Sequence, residues 1–176
     1  MAGERQLAGG GFLIRQPEPA DEAGYERLLL DPEVSGWLRP EPLPPFTRAE
    51  IAEMLADDLR HWRDAGFGPW VLAEREGGEM VGRVGLHRTS VGGELVTELA
   101  WTIRPGWQGR GLATAAAGEG LELARSVGLV ELVALVLPAN AASRRVAEKL
   151  GMKSSGGTVT HAGLPHLLYR IEVAAE

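Results

Sequence analysis

Three groups of residues in this chain have types and spacings that could do chemistry. The first is RPGWQGRGLAT at 104–114, where Gly109 and Gly111 flank Arg110 between a strand-like apolar run and a helix-like one. A strand that passes through a glycine turn into a helix leaves up to four backbone N–H groups without partners, and these, with the helix dipole, bind anions. Glycine lets the anion come close, Arg110 adds a full charge, and Gln108 is a candidate second donor. A plain tight turn needs only one permissive residue, so two glycines around an arginine favour an anion site. The dinucleotide pattern GxGxxG is not met, because Thr114 stands where the third glycine belongs and no acidic residue ends the following strand at 137–139. The phosphate loop of nucleotide hydrolases is not met either, since no Lys-Ser or Lys-Thr pair follows the glycines.

The second group is Asn140 and Ser143, at the head of NAASRRVAEKLG. Asn140 reads as an N-cap, worth ~1 kcal/mol. Ser143, three residues on, falls in the first helical turn, where a serine is unremarkable. The third is Glu98 in VTELAWTI. A carboxylate inside an apolar strand sits at an exposed edge or beside a cleft, where it is a candidate base. The four histidines, at 61, 87, 161 and 166, lack metal-ligand spacing, so no metal is expected; His87, on a strand, is a minor candidate for a base. With no cysteine in the chain, thiol nucleophiles, zinc-thiolate sites and disulfides are excluded.

The elements that must position these residues can be read from pattern. A chain of 176 residues fits one domain. Its net charge of −6 argues against nucleic-acid binding, and its longest apolar run, LVALVL at 132–137, is too short to cross a bilayer. The first eleven residues lack a signal-peptide core and read as a flexible leader, with the folded domain at 12–176, no membrane association, and a cytoplasmic location. Residues 12–15 are extended, and a helix follows near 20–30 with proline and acidic residues at its start. After the proline-rich LRPEPLPPF, Thr47 and Glu50 form a capping box for a helix carrying Ile51, Met54, Leu55, Leu59 and Trp62 and closed by Gly66. WVLAERE, MVGRVGLHRT and LVTELAWTI, separated by glycine pairs at 77–78 and 92–93, read as an antiparallel meander. Then come an alanine-rich helix ending at Gly128, the apolar strand LVELVALVLP, the short helix capped by Asn140, and a final strand in HLLYRIEV. Gly118 and Gly120 inside the alanine-rich helix predict close packing against the sheet. The order gives an α+β (mixed α/β) single domain.

The pattern Trp101-x-Ile103, four further residues, then Gln108-x-x-Gly111-x-Ala113 resembles the acetyl-CoA motif of the GNAT superfamily of N-acetyltransferases. Asn140-x-x-Ser143 followed by Glu148-Lys149-Leu150-Gly151-Met152 is similar to a segment of its ribosomal-protein N-terminal branch, the RimJ/RimL-like enzymes. LLLDPEVSGWL at 28–38 looks like that branch's early substrate-side segment, so the resemblance runs from about 12 to 173. It implies a central, mostly antiparallel twisted sheet flanked by helices. It also implies acetyl-CoA as cosubstrate, held by Ile103, Gln108, Gly109, Arg110, Gly111, Leu112, Ala113, Asn140 and Ser143, with the Ile103 N–H polarising the thioester carbonyl if the strand splays there. Many members carry a tyrosine as general acid seven residues after the asparagine; here that position is Ala147. The RimJ/RimL-like branch also lacks it, which makes Ser143 the candidate donor to the departing sulfur, with Tyr169 or a water as substitutes, and Glu98 the candidate base. The implied reaction is direct acetyl transfer to a primary amine, such as a protein or peptide N-terminal α-amine. A small-molecule amine, an antibiotic or polyamine, is the alternative acceptor, and a non-catalytic acyl-CoA-binding sensor the alternative class. The family also suggests a homodimer. The segments expected to line the acceptor pocket, 37–46 and 156–166, carry no decodable motif.

Overall fold

A computed structural model describes residues 4–173. Within them the helices are α1 (Glu22–Leu29), α2 (Pro32–Leu38), α3 (Arg48–Ala65), α4 (Leu112–Ser126) and α5 (Ala141–Lys149). The strands are β1 (Arg5–Gln6), β2 (Phe12–Arg15), β3 (Pro69–Glu74), β4 (Met80–Val91), β5 (Glu94–Ile103), β6 (Glu131–Val136), β7 (Lys153–His161) and β8 (Leu164–Glu172). They form one sheet in the order β1-β2-β3-β4-β5-β6-β8-β7. All neighbours are antiparallel except β5 and β6, which run parallel and share a single register pair, Glu98 with Val133. The expected α+β fold with a mostly antiparallel sheet is the one observed.

Local chemistry accounts for the central hairpin. Gly92 and Gly93 have φ of 61° and 87°, the two left-handed positions of a two-residue turn whose twist matches that of the flanking strands. That turn fixes the β4–β5 register along its length, from Val91 opposite Glu94 to Gly82 opposite Ile103. On one face, Trp70, Leu72, Val84, Leu86 and Leu99 pack beneath Ala116, Ala117, Leu121 and Ala124 of α4. Gly120 is the close approach, because a Cβ there would lie 2.7 Å from Leu99 Cδ1. A Cβ on Gly118 would meet nothing within 4 Å, so the expectation of tight packing holds for one of the two glycines only.

The opposite face is covered by α1 and α3, with Tyr25, Leu28, Leu29, Ile51 and Leu55 against Leu13, Val71, Ala73 and Met80. The predicted capping box opens α3: the Glu50 amide donates to Thr47 Oγ1 at 3.2 Å and the Thr47 amide to Glu50 Oε2 at 2.7 Å. Gly66 closes the helix at φ 73°.

Three features depart from the sequence expectation. The leader read as flexible is tied to the sheet over its described part: Arg5 and Gln6 pair with Ile14 and Leu13, and Leu7 is 3% exposed in the main core. The apolar Leu7 supplies the anchor; residues 1–3 lie outside the described residues. A helix, α2, lies within the segment read only as substrate-side; Asp31 caps it by accepting from the Glu33 amide at 2.9 Å, with Pro32 in the first turn. Finally, β7 precedes the expected last strand and forms a hairpin with it. Its residues are nearly all exposed, so no apolar alternation marks it. Among the described residues no helix is long and apolar enough to cross a membrane.

Candidate active site

The site is built where the sheet opens. β5 and β6 meet at Glu98 and Val133 and have no further register pair toward Ile103, so the two strands form a fork. The Arg104 amide donates to the Val81 carbonyl at 2.8 Å, toward β4. Successive residues of a strand face alternate sides, which turns the N–H groups of Ile103 and Trp101 toward the gap. The Ile103 carbonyl faces the same way and accepts from the Gln108 side-chain amide at 2.9 Å. Gln108 therefore ties the glycine turn to the strand end, a role its reading as a plain second donor did not foresee.

The turn itself leaves backbone donors and open space. Gly109 and Gly111 both have positive φ, 74° and 77°, and a Cβ on either would meet nothing within 4 Å. Gly111 caps α4 without a side-chain hydrogen bond. The first helical amide with an acceptor is that of Ala115, which donates to the Gly111 carbonyl at 3.0 Å. The amides of Leu112, Ala113 and Thr114 thus point out of the helix start as free donors. Leu112 is also a core residue at 8% exposure, which fixes the direction of those amides. Arg110 lies over the Trp107 ring at 4.6 Å and donates to the Gly106 carbonyl at 3.2 Å. Trp107 in turn meets Phe12 edge to face at 5.5 Å. The guanidinium is held beside the turn, and Trp107 is a packing residue.

Across the gap, Asn140 is the N-cap of α5: its Oδ1 accepts from the Ser143 amide at 3.0 Å, leaving its NH2 group uncommitted by that bond. The Trp101 indole N–H reaches across the fork to Ser143 Oγ at 3.4 Å, joining the end of β5 to the first turn of α5. Tyr169 is 3% exposed and packs in one cluster with Ala147, and its hydroxyl donates to Glu148 at 3.4 Å. That bond commits its only proton away from Ser143.

Glu98 sits at the apex of the fork and is 8% exposed. The register sets His87 directly opposite it, and His87 Nε2 lies 3.2 Å from its Oε2. Burial pushes the Glu98 carboxyl up, but the hydrogen bond from His87 first, then the fields of His87 and His161 and the Leu135 amide, outweigh it and hold the group below the ordinary glutamate range. Alternation along β5 places Glu98 and Trp101 on opposite faces. The fork is thus a slot with Ser143 reached from the α4 side and the carboxylate from the α3 side. Among the described residues no cluster of histidines and carboxylates could hold a metal ion. The His87–Glu98 pairing was missed in the sequence, although the two-glycine turn carries it: stepping outward equally from Val91 and Glu94 arrives at these two residues.

An open antiparallel sheet, forked at its one parallel pair and with unpaired amides at the adjoining helix start, is the architecture of an acyl-CoA-dependent acyltransferase. The chain belongs to the acetyltransferase (GNAT) domain family, which it matches over residues 12–153. It is 31% identical over 159 residues to YkkB, an uncharacterized protein of Bacillus subtilis (strain 168), with 88% of this chain and 89% of that protein covered. The crystal structure of an acetyltransferase from Agrobacterium tumefaciens superposes with a TM-score of 0.78 at 26% identity, covering 97% of this chain and 95% of the other. RimJ of Mycobacterium smegmatis, solved in complex with CoA-disulfide, has the same fold, with a TM-score of 0.74 at 23% identity over 97% of this chain and 86% of its own. The GNAT family uses acetyl-CoA, and this chain is an acetyltransferase of that family.

Proposed function

We propose that the protein transfers an acetyl group directly from acetyl-CoA to a primary amine, and that the acceptor is the α-amine of a peptide or protein N-terminus. The residues present fit the cosubstrate. The amides of Leu112, Ala113 and Thr114 and the guanidinium of Arg110 would hold the pyrophosphate, with Gly109 and Gly111 allowing close approach. Gln108 keeps the turn against the strand, and the Asn140 NH2 group would meet the pantetheine. Acetyl-CoA supplies the activated acyl group. The Ile103 N–H, turned into the gap, would hydrogen-bond the thioester oxygen, a donor of a kind worth ~2.7–4 kcal/mol when charge develops there.

Two protons must move. An acceptor arriving as an ammonium gives one to Glu98, and the nitrogen's second proton leaves with the thiol through Ser143. The proton on Glu98 then passes to solvent. Ser143 is fitted for this because its Oγ accepts from Trp101, which leaves its own O–H free to donate.

The observation that supports the choice of acceptor is that the group at the apex of the fork is a carboxylate, Glu98. Its carboxyl is held below the ordinary range, so it is a weak base. Freeing a lysine amine of pKa ~10.4 at pH 7 costs about 4.6 kcal/mol, whereas an α-amine near 7.7–8.0 costs about 1–1.4. A weak carboxylate therefore suits the second better than the first. A small polyamine or aminoglycoside is the rival acceptor, favoured by the net charge of −6, which draws cations at long range. The expected place of work is the cytoplasm.

The test is thiol release from acetyl-CoA against N-terminal peptides, polyamines and aminoglycosides. The peptides are expected to give the highest kcat/KM, with Glu98→Gln and Ser143→Ala each lowering it about 100-fold or more. Faster turnover of polyamines or aminoglycosides would overturn the acceptor. Binding of acetyl-CoA with no thiol release for any amine would make the protein a sensor.

A further inference from the structure

Two carboxylates lie on the α3-facing side of the β4–β5 hairpin, and the protein treats them differently. Asp58, on α3, is closed off by a guanidinium: Arg83 Nε and Nη2 each donate to it at 2.6 Å, and the Tyr25 hydroxyl donates at 2.7 Å. Its charge is cancelled and it is 2% exposed. Glu98 is met instead by the imidazole of His87, which shares a face of β4 with Arg83. A neutral imidazole has one N–H to give. It can orient a carboxylate without cancelling its charge.

The tautomer follows from the partners. A carboxylate only accepts, so in a neutral ring the proton belongs on Nε2, leaving Nδ1 as a lone pair. Nδ1 is indeed buried and, alone among the buried side-chain nitrogens and oxygens of the described residues, has no partner. The groups around the pair come from four elements. From α3, His61 faces His87 edge on at 6.4 Å. Its Nδ1 lies 3.0 Å from the Asp57 carbonyl and its Nε2 accepts from the Arg88 amide at 3.1 Å, which uses both nitrogens of the neutral ring. Asp58, Arg83 and Arg88 also act on His61. From β7, His161 lies 3.3 Å from the Ser90 carbonyl and meets His166 of β8 edge on at 5.7 Å; both are close enough to interact with Glu98. From β6 comes the Leu135 amide. All four histidines of the chain therefore gather near one carboxylate.

We propose that His87 is a positioning residue for acyl transfer: as an Nε2–H imidazole it fixes the Glu98 carboxylate at the apex of the fork while leaving that carboxylate's negative charge uncancelled for an incoming ammonium. This rests on the reading of Glu98 as the group that takes the amine's proton. In that step an N–H bond of the ammonium breaks, an O–H bond forms on Glu98, and the freed electron pair on nitrogen becomes the nucleophile. Without His87 the opposing effect of burial is left with fewer counterweights, and the carboxyl rises.

The experiment combines pH profiles with a readout independent of turnover. His87→Phe keeps the ring's bulk and removes the donor, while His87→Gln retains a donor near the Nε2 position. The acid limb of kcat/KM for the best amine is expected to move up by about one to two pH units in H87F, as loss of one charge-assisted hydrogen bond implies, and to return toward wild type in H87Q. The dissociation constant of acetyl-CoA should not change. Nitrogen-15 spectra of the wild-type histidines should place the His87 proton on Nε2, and carbon-13 titration of the Glu98 carboxyl should shift upward in H87F. An unmoved limb with activity lowered equally at every pH, or a proton on Nδ1, would overturn the proposal. If H87F does not fold, H87Q and the wild-type spectra decide. If no amine is turned over while the carboxyl titration moves as expected, the proposed reaction fails and the role of His87 in holding Glu98 stands.

Discussion

Gly111→Ala should weaken both the fold and the cosubstrate site, and a second glycine of the same helix separates the two effects. Gly111 precedes α4 at φ 77° and Gly128 follows it at φ 74°. A Cβ on either would meet nothing within 4 Å. Alanine at each position therefore carries the left-handed backbone penalty without a steric clash, about 1–2 kcal/mol. For a domain of this size each substitution should lower Tm by about 2–8 °C. Only Gly111 adjoins the free amides of Leu112, Ala113 and Thr114. Displacing one oriented amide from a phosphate loses a charge-assisted hydrogen bond, which corresponds to about tenfold or more in affinity. Calorimetric titration with acetyl-CoA should thus show weaker binding by Gly111→Ala and unchanged binding by Gly128→Ala, at matched losses of Tm. Equal affinity in the two variants would refute the assignment of the turn to the anion.

Three further outcomes follow from the packing and the charges. Asp58→Ala leaves Arg83 buried beside a bare Tyr25 hydroxyl and should cost about 3–5 kcal/mol in urea unfolding, whereas Tyr25→Phe, which removes one donor, should cost about 1 kcal/mol. Gly118→Ala, with open space around it, should stabilise α4 by about 1 kcal/mol, while Gly120→Ala must displace the fully buried Leu99 and should destabilise by about 1–3 kcal/mol. Glu50 is held down to about 2 from 4.5 by the Arg39 side chain first, then by the Thr47 amide and hydroxyl. A depressed carboxyl contributes its stability in full above the unfolded value and loses it as pH falls through the folded one. The Tm difference between wild type and Glu50→Gln should therefore shrink between pH 4.5 and about 2.

Much of the site was legible because its chemistry is local. The glycine turn, the Asn140 cap and the Thr47–Glu50 box each depend on a few consecutive residues whose side chains or φ angles have one use. The β3–β4–β5 meander was legible for the same reason, since Gly92 and Gly93 can both adopt the conformation its turn requires. β7 was not, because an exposed edge strand needs no apolar alternation; KSSGGTVTH contains Gly156 and Gly157, both at positive φ, where its pairing with β8 shifts register. β1 was hidden by its two-residue length, and only Leu7 betrays the attachment. The condition of Glu98 was the hardest to read. An isolated carboxylate in an apolar strand signals a cleft, but the imidazoles around it arrive from α3, β4, β7 and β8, and only the fold brings His61 and His161 near a residue so distant in sequence.

The central claim is that a weak carboxylate at the apex of the fork serves an α-amine. It is tested most directly by one peptide carrying both a free N-terminal amine and an internal lysine, incubated with the protein and acetyl-CoA and mapped by tandem mass spectrometry. Acetyl is expected on the N-terminal nitrogen and none above background on the lysine, with the product lost in Glu98→Gln. Acetylation of the lysine at an equal or greater rate would contradict the claim.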